Sequence, residues 1–199
     1  MLLYQPSRDM TTTSTANPTN ERILFVTVGT TSFDPLIRIV SSSTFLQLAK
    51  DLGYTTILVQ YGKGEYIPFQ DEPAQNKTNN CGIHCEAYRF KPSLQEDVQS
   101  ASLILSHAGA GSIMEALAAH KKMIVVINNS LMHNHQWEVA HALAQRGYLK
   151  YVDSPNGLLE EDGRMVREVS SKKYTPLTYP KGDVYAFSNL LDDLMGYSD

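Results

Sequence analysis

The chemistry of this chain concentrates in the stretch LSHAGAGSIME over residues 105–115, where His107, Gly109, Gly111, Ser112 and Glu115 follow a short apolar run. The pattern predicts a strand that runs into a glycine loop and then a helix over 112–119. Such a junction suits phosphate. Gly109 and Gly111 have no side chain to hold an anion off, and the free N–H groups of a helix's first turn point at it with the positive end of the helix dipole behind them. Ser112 can cap the helix or donate its hydroxyl, and Glu115, one turn on, comes within reach of a ribose. A nucleoside diphosphate is the natural guest, although a tight strand-to-helix turn needs glycine whether or not anything binds. Neither familiar fingerprint fits. Met114 stands where the third glycine of a dehydrogenase loop belongs, Leu131 stands about 20 residues further on in place of an acidic ribose ligand, and no GxxxxGK[ST] run occurs.

Other reactive residue types are less well placed. Cys81, His84 and Cys85 offer zinc three ligands with no fourth nearby, so reduced thiols in a loop are the expectation. His133 and His135 flank Asn134, but alternate residues do not share a helix face and no acidic partner lies close, which argues against a metal or nuclease-like site. No acidic D-x-D pair marks the neighbourhood, and no metal is expected. Trp137 reads as core packing beneath the site.

The elements that must carry these residues alternate along the chain. A strand over 22–28 leads into a loop at 29–32 and a helix over 34–52, with the serines at 41–43 allowing a break and Gly53 ending it. A strand over 56–61, a long polar loop over 65–82, a short strand over 88–90, a helix over 94–100 and a strand over 103–105 follow. Beyond the glycine loop come a strand over 123–127 and a helix over 135–146, ended by Gly147. Such βαβ alternation implies a Rossmann-like parallel sheet with helices on both faces, whose ligand site lies at the carboxyl ends of the strands, where these loops fall. Residues 1–20, rich in Thr, Ser and Asn, read as a disordered leader, 21–152 as the Rossmann-like domain, and 153–199 as a polar connection and a helix. Within that last part 153–180 shows no period, and an amphipathic helix starts near Asp183 with Phe187, Leu190, Leu191, Leu194 and Met195 on one face.

Composition excludes several classes of function. The 199 residues are 42% hydrophobic, enough for one well-cored domain. A net charge of -4, with 17 Lys and Arg scattered along the chain, gives no footprint for nucleic acid. The longest apolar run, 123–127, is far too short to span a membrane, and the N-terminus lacks the apolar core of a signal peptide, so a cytosolic location is expected.

Four loops in order, VTVGTT over 26–31, QYGKG over 60–64, HAGAGSIME over 107–115 and HNHQW over 133–137, carry a resemblance that covers about 23–152. The chain resembles the C-terminal, donor-binding half of GT-B glycosyltransferases. The match is to the bacterial peptidoglycan enzymes that transfer GlcNAc from UDP-GlcNAc to a lipid diphosphate, and most of all to the family of their small eukaryotic donor-binding subunits. The resemblance implies that Gly109, Ala110, Gly111 and Ser112 hold the diphosphate through backbone N–H groups and that Glu115 accepts both ribose hydroxyls. His107 is implied as a phosphate donor, a buried structural histidine being the alternative. Phe90 and the Lys91 backbone are implied to pack on and read uracil, His135 and Gln136 to face the sugar, and Thr30 and Thr31 to lie near the phosphates and sugar.

The reaction implied is an inverting transfer of a second GlcNAc to dolichyl-diphosphate-GlcNAc in N-glycan precursor synthesis. In the bacterial enzyme the general base belongs to an N-terminal half that this sequence does not show. The resemblance therefore implies a heterodimer with a membrane-anchored partner that brings the base and the dolichol-linked acceptor to the cytosolic face of the endoplasmic reticulum, docked by the helix around Leu190, Leu191 and Leu194. A non-catalytic nucleotide-sugar-binding regulatory or scaffold protein is the alternative; Glu115, His135 and Gln136 together speak against it, because a scaffold needs no sugar-facing polar pair.

Overall fold

The computed structural model describes residues 21–69, 82–128 and 135–180, with only the backbone of His135 and Gln136. The leader 1–20, Cys81, His133, Asn134 and the helix expected from Asp183 lie outside the described residues.

Six strands form one parallel sheet. They are β1 (Ile23–Thr27), β2 (Thr56–Gln60), β3 (His84–Tyr88), β4 (Ala101–His107), β5 (Met123–Val126) and β6 (Lys150–Val152), in the order β3-β2-β1-β4-β5-β6. Side chains alternate across the sheet and build two cores. Leu24 and Val26 of β1 join Leu36 of α1 (Asp34–Val40), Phe45 of α2 (Ser43–Asp51) and Val166 of α6 (Glu160–Ser170) on one face. Phe25 of β1 joins Val98 of α3 (Gln95–Ser100), Ile113 of α4 (Ala110–Ala118) and Leu143 of α5 (His135–Gln145) on the other. Each such fully buried side chain contributes roughly 1.5–3 kcal/mol. The serine break between α1 and α2 is real: Ser42 caps α2, its hydroxyl oxygen accepting from the Phe45 N–H at 3.3 Å.

Three sequence expectations are corrected. The strand placed at 88–90 is β3 at His84–Tyr88, because its pairing register with β2 runs from Thr56–His84 to Gln60–Tyr88. His84 and Cys85 therefore sit on a strand, not in a loop; Cys85 packs against one core while His84 contacts Glu86 at 2.7 Å. Among the described residues no three His, Cys, Asp or Glu side chains gather into a metal site. Residues 153–180 are not featureless either. A 3-10 turn (Pro155–Leu158) and α6 bury Leu158, Val166 and Val169 against α1, α2 and the sheet. Their helical signal is broken by left-handed backbone at Glu161, Asp162 and Gly163 (φ 48, 56 and 72). At Gly163 a Cβ would also lie 2.3 Å from Leu48 Cδ2, so close packing requires glycine there. Arg164 and Arg167 hold the left-handed turn, pairing with Glu161 at 2.7 Å and Asp162 at 2.9 Å. No described helix is long and apolar enough to cross a membrane.

Candidate nucleotide site at the sheet switch point

The strand order reverses direction between β1 and β4. In open parallel sheets that point leaves a crevice beyond the carboxyl ends of the strands, where ligands bind. The 29–32 loop leaves β1 on one side of it and the glycine loop leaves β4 on the other.

His107 ends β4 between these loops and is only 5% exposed. A Cβ on Gly109 would fall 2.3 Å from its Nε2, and one on Gly29 would fall 2.9 Å from its Cε1. Both glycines are thus needed to seat the ring. Burial pushes the imidazole below its usual pKa, and the Thr27 carbonyl opposes this in part, so the ring is neutral at pH 7. Nδ1 is buried with no hydrogen-bond partner among the described residues. A neutral imidazole keeps one N–H, so donating it to an anion would mean withdrawing it from the Thr27 carbonyl.

The helix α4 begins at Ala110, two residues earlier than expected. Gly109 is its N-cap and no side chain caps it, which corrects the capping role for Ser112. The Gly109 N–H donates to the His107 carbonyl at 2.7 Å, and the first bond back into the helix comes from Ile113 to the Gly109 carbonyl at 3.1 Å. The N–H groups of Ala110, Gly111 and Ser112 therefore have no helical partner. A Cβ at Gly111 would meet nothing within 4 Å, so an anion can approach the backbone there.

Glu115 is exposed on α4 and lines a cavity of about 390 Å³ with Ser93, Gln95, Val98, Gln99, Ala118 and Ala119. The glycine loop is not part of that wall; it lies a helical turn away on open surface. Phe90, 51% exposed, follows β3 at the same edge of the sheet. The Lys91 ammonium is held by both carboxylate oxygens of Asp97 at 2.8 and 3.0 Å and lies 4.2 Å from the Tyr88 ring centre. Asp97, 7% exposed, also accepts from the Tyr88 hydroxyl; burial, and then that carboxylate, drive the phenol above the usual tyrosine range. With its side chain tied down, Lys91 has its backbone left to offer a ligand.

Thr30 is exposed, and Thr31 turns back, its hydroxyl donating to the Val28 carbonyl at 3.3 Å while its own carbonyl accepts from the Lys63 N–H at 2.9 Å. His135 and Gln136 open α5 after β5. Of the expected site residues, His107 closes a strand, Thr30, Thr31, Phe90 and Lys91 lie in the loops after strands, and Glu115 lies further along α4. Trp137 does not pack in the core: it is 43% exposed and stacks on His141 at 4.7 Å, which the Tyr151 hydroxyl contacts at 3.1 Å. Sequence reasoning passed over Gln60, Arg89 and Asp97, whose polar groups tie these loops together; the available signal was a polar residue closing each apolar strand, at Thr27 and Gln60.

Sheet order, glycine-capped helix and loop cluster define a class, the Rossmann-like α/β domain that forms one half of a GT-B glycosyltransferase. The chain belongs to the family of glycosyltransferase family 28 C-terminal domains, whose model matches residues 23–179. A Cryptococcus neoformans protein named UDP-N-acetylglucosamine transferase subunit ALG13 is 33% identical, covering 87% of this chain and 96% of that protein. The human protein of the same name is 46% identical over 130 residues, 65% of this chain. The chain spans about a tenth of the length of the human and mouse relatives. An NMR solution structure of ALG13 aligns with a TM-score of 0.62 at 26% identity, over 86% of this chain and 95% of that one. The crystal structure of Acinetobacter baumannii MurG shares the fold, with a TM-score of 0.54 at 16% identity over 90% of this chain and 51% of that one.

Proposed function

We propose that this chain is the UDP-GlcNAc-binding subunit of a heterodimeric, inverting N-acetylglucosaminyltransferase that adds the second GlcNAc to dolichyl-diphosphate-GlcNAc. The observation that carries the reading is the glycine-capped start of α4 at the switch point, with His107 beneath it and Glu115 one turn further along. In the proposed reaction the acceptor C4 hydroxyl attacks C1 of the donor sugar and UDP leaves. Charge growing on the diphosphate is met by the N–H groups of Ala110, Gly111 and Ser112 and by the α4 dipole, with His107 a further donor when its N–H turns from the Thr27 carbonyl to the phosphate. Glu115 accepts the ribose hydroxyls, Phe90 and the Lys91 backbone hold uracil, and Thr30, Thr31, His135 and Gln136 surround the phosphates and sugar.

The general base is assigned to a partner, in keeping with the resemblance to enzymes whose base belongs to the other half. In this reading the partner is membrane-anchored, brings the dolichol-linked acceptor and recruits the chain to the cytosolic face of the endoplasmic reticulum, with Leu190, Leu191 and Leu194 as its docking residues. Titration of the isotopically labelled chain with UDP-GlcNAc tests the donor role. The amide signals of Ala110, Gly111, Ser112 and Lys91 should shift together and saturate; a titration that leaves them in place would refute it.

A further inference from the structure

Gln60 ends β2 with its side chain 3% exposed, beneath the edge loops rather than among them. Its amide oxygen accepts from the Thr27 hydroxyl, whose oxygen in turn accepts from the Gly29 N–H at 3.2 Å. Its amide nitrogen donates to the Gly29 carbonyl at 2.5 Å and to the Arg89 carbonyl at 3.0 Å. One buried side chain thereby fixes the loop after β1 and the loop after β3 to each other. Arg89 closes the lattice from above, its guanidinium donating to the Gly62 and Gly64 carbonyls at 3.1 and 3.0 Å and lying 4.9 Å from the Tyr61 ring centre. The glycine loop after β4 adjoins this lattice only through His107, whose ring packs on Gly29 and Thr27.

We propose that Gln60 is a positioning residue for nucleobase recognition, setting where the loop of Arg89, Phe90 and Lys91 stands relative to the 29–32 loop. The proposal rests on the nucleotide-binding reading above. Two carbonyls depend on one amide group, and leaving them unpaired lets the base-contacting loop drift while the diphosphate contacts on α4 stay in place. The consequence is a loss that falls more heavily on base discrimination than on diphosphate binding, which the α4 N–H groups sustain.

Gln60→Met keeps the side-chain length and removes every polar contact; Thr27→Val, a milder change, removes the hydroxyl that orients the amide. Dissociation constants for UDP and ADP, measured on folded protein verified by its amide spectrum, separate the roles. Gln60→Met should weaken UDP by about tenfold or more and ADP by distinctly less, and Thr27→Val should shift the ratio in the same direction by less. Equal losses for both nucleotides, or an unchanged UDP constant in either folded variant, would overturn the positioning role. If the unmodified chain bound no UDP, the nucleotide reading itself would fall, and this proposal with it.

Discussion

Replacing Gly111 by alanine should raise stability and lower nucleotide affinity at once. The residue lies in the first turn of α4 with no positive φ, and a Cβ there meets no atom within 4 Å. Gly→Ala at a compatible helical site stabilises by about 0.4–1 kcal/mol, largely by reducing the freedom of the unfolded chain. For a domain of this size that corresponds to a rise in Tm of about 1–4 °C. The same open space is the approach route of the diphosphate, and the methyl group would hold it away from a backbone N–H. Hydrogen bonds to charged groups contribute about 1.5–3 kcal/mol, so UDP affinity should fall roughly 10- to 100-fold. Differential scanning calorimetry and isothermal titration of the same preparation give both numbers. A variant with raised Tm and unchanged UDP affinity would refute the placing of the diphosphate on this turn.

Gly109→Ala should behave in the opposite sense, because its methyl would press on a His107 ring already backed by Gly29; a loss of about 1–3 kcal/mol in chemical denaturation is expected. Glu115→Ala, at an exposed position, should leave the denaturation midpoint within about 0.5 kcal/mol of the parent and weaken UDP roughly 10- to 100-fold by calorimetry. Burial lowers the His107 pKa below its ordinary 6.5, so the unfolded chain binds more protons than the folded one once pH drops past that value. Its contribution is therefore present above 6.5 and lost as pH falls toward the lower folded value, and His107→Gln should flatten that part of the Tm-against-pH curve.

The alternation of apolar runs and glycine-ended helices in the sequence was sufficient to predict β1, β2, β4, β5 and the two-faced parallel sheet, since each strand is buried on both sides and each helix on one. β3 was displaced because its exposed positions, such as Glu86 and Ala87, leave no apolar run, and pairing with β2 alone defines it. The helix α6 was hidden by the run Glu160, Glu161, Asp162 and Gly163, whose left-handed turn interrupts any helical period. At the site, the glycine loop could be read because backbone geometry demands particular residue types there. Gln60 and Asp97 could not, since their roles come from carbonyls and side chains that only the tertiary fold brings near. Trp137 misled because a large aromatic ring usually packs inward, whereas here His141 offers it a stacking surface at the protein's exterior.

The most direct test is transfer of radiolabelled GlcNAc from UDP-GlcNAc to a GlcNAc-diphosphate lipid by this chain alone, by its membrane partner alone and by the two together. Transfer by the mixture only, strongly reduced by Glu115→Ala in this chain at subsaturating UDP-GlcNAc, is the predicted result. A verified complex that binds UDP-GlcNAc through this chain and transfers nothing would contradict the account and favour a nucleotide-sugar-binding scaffold.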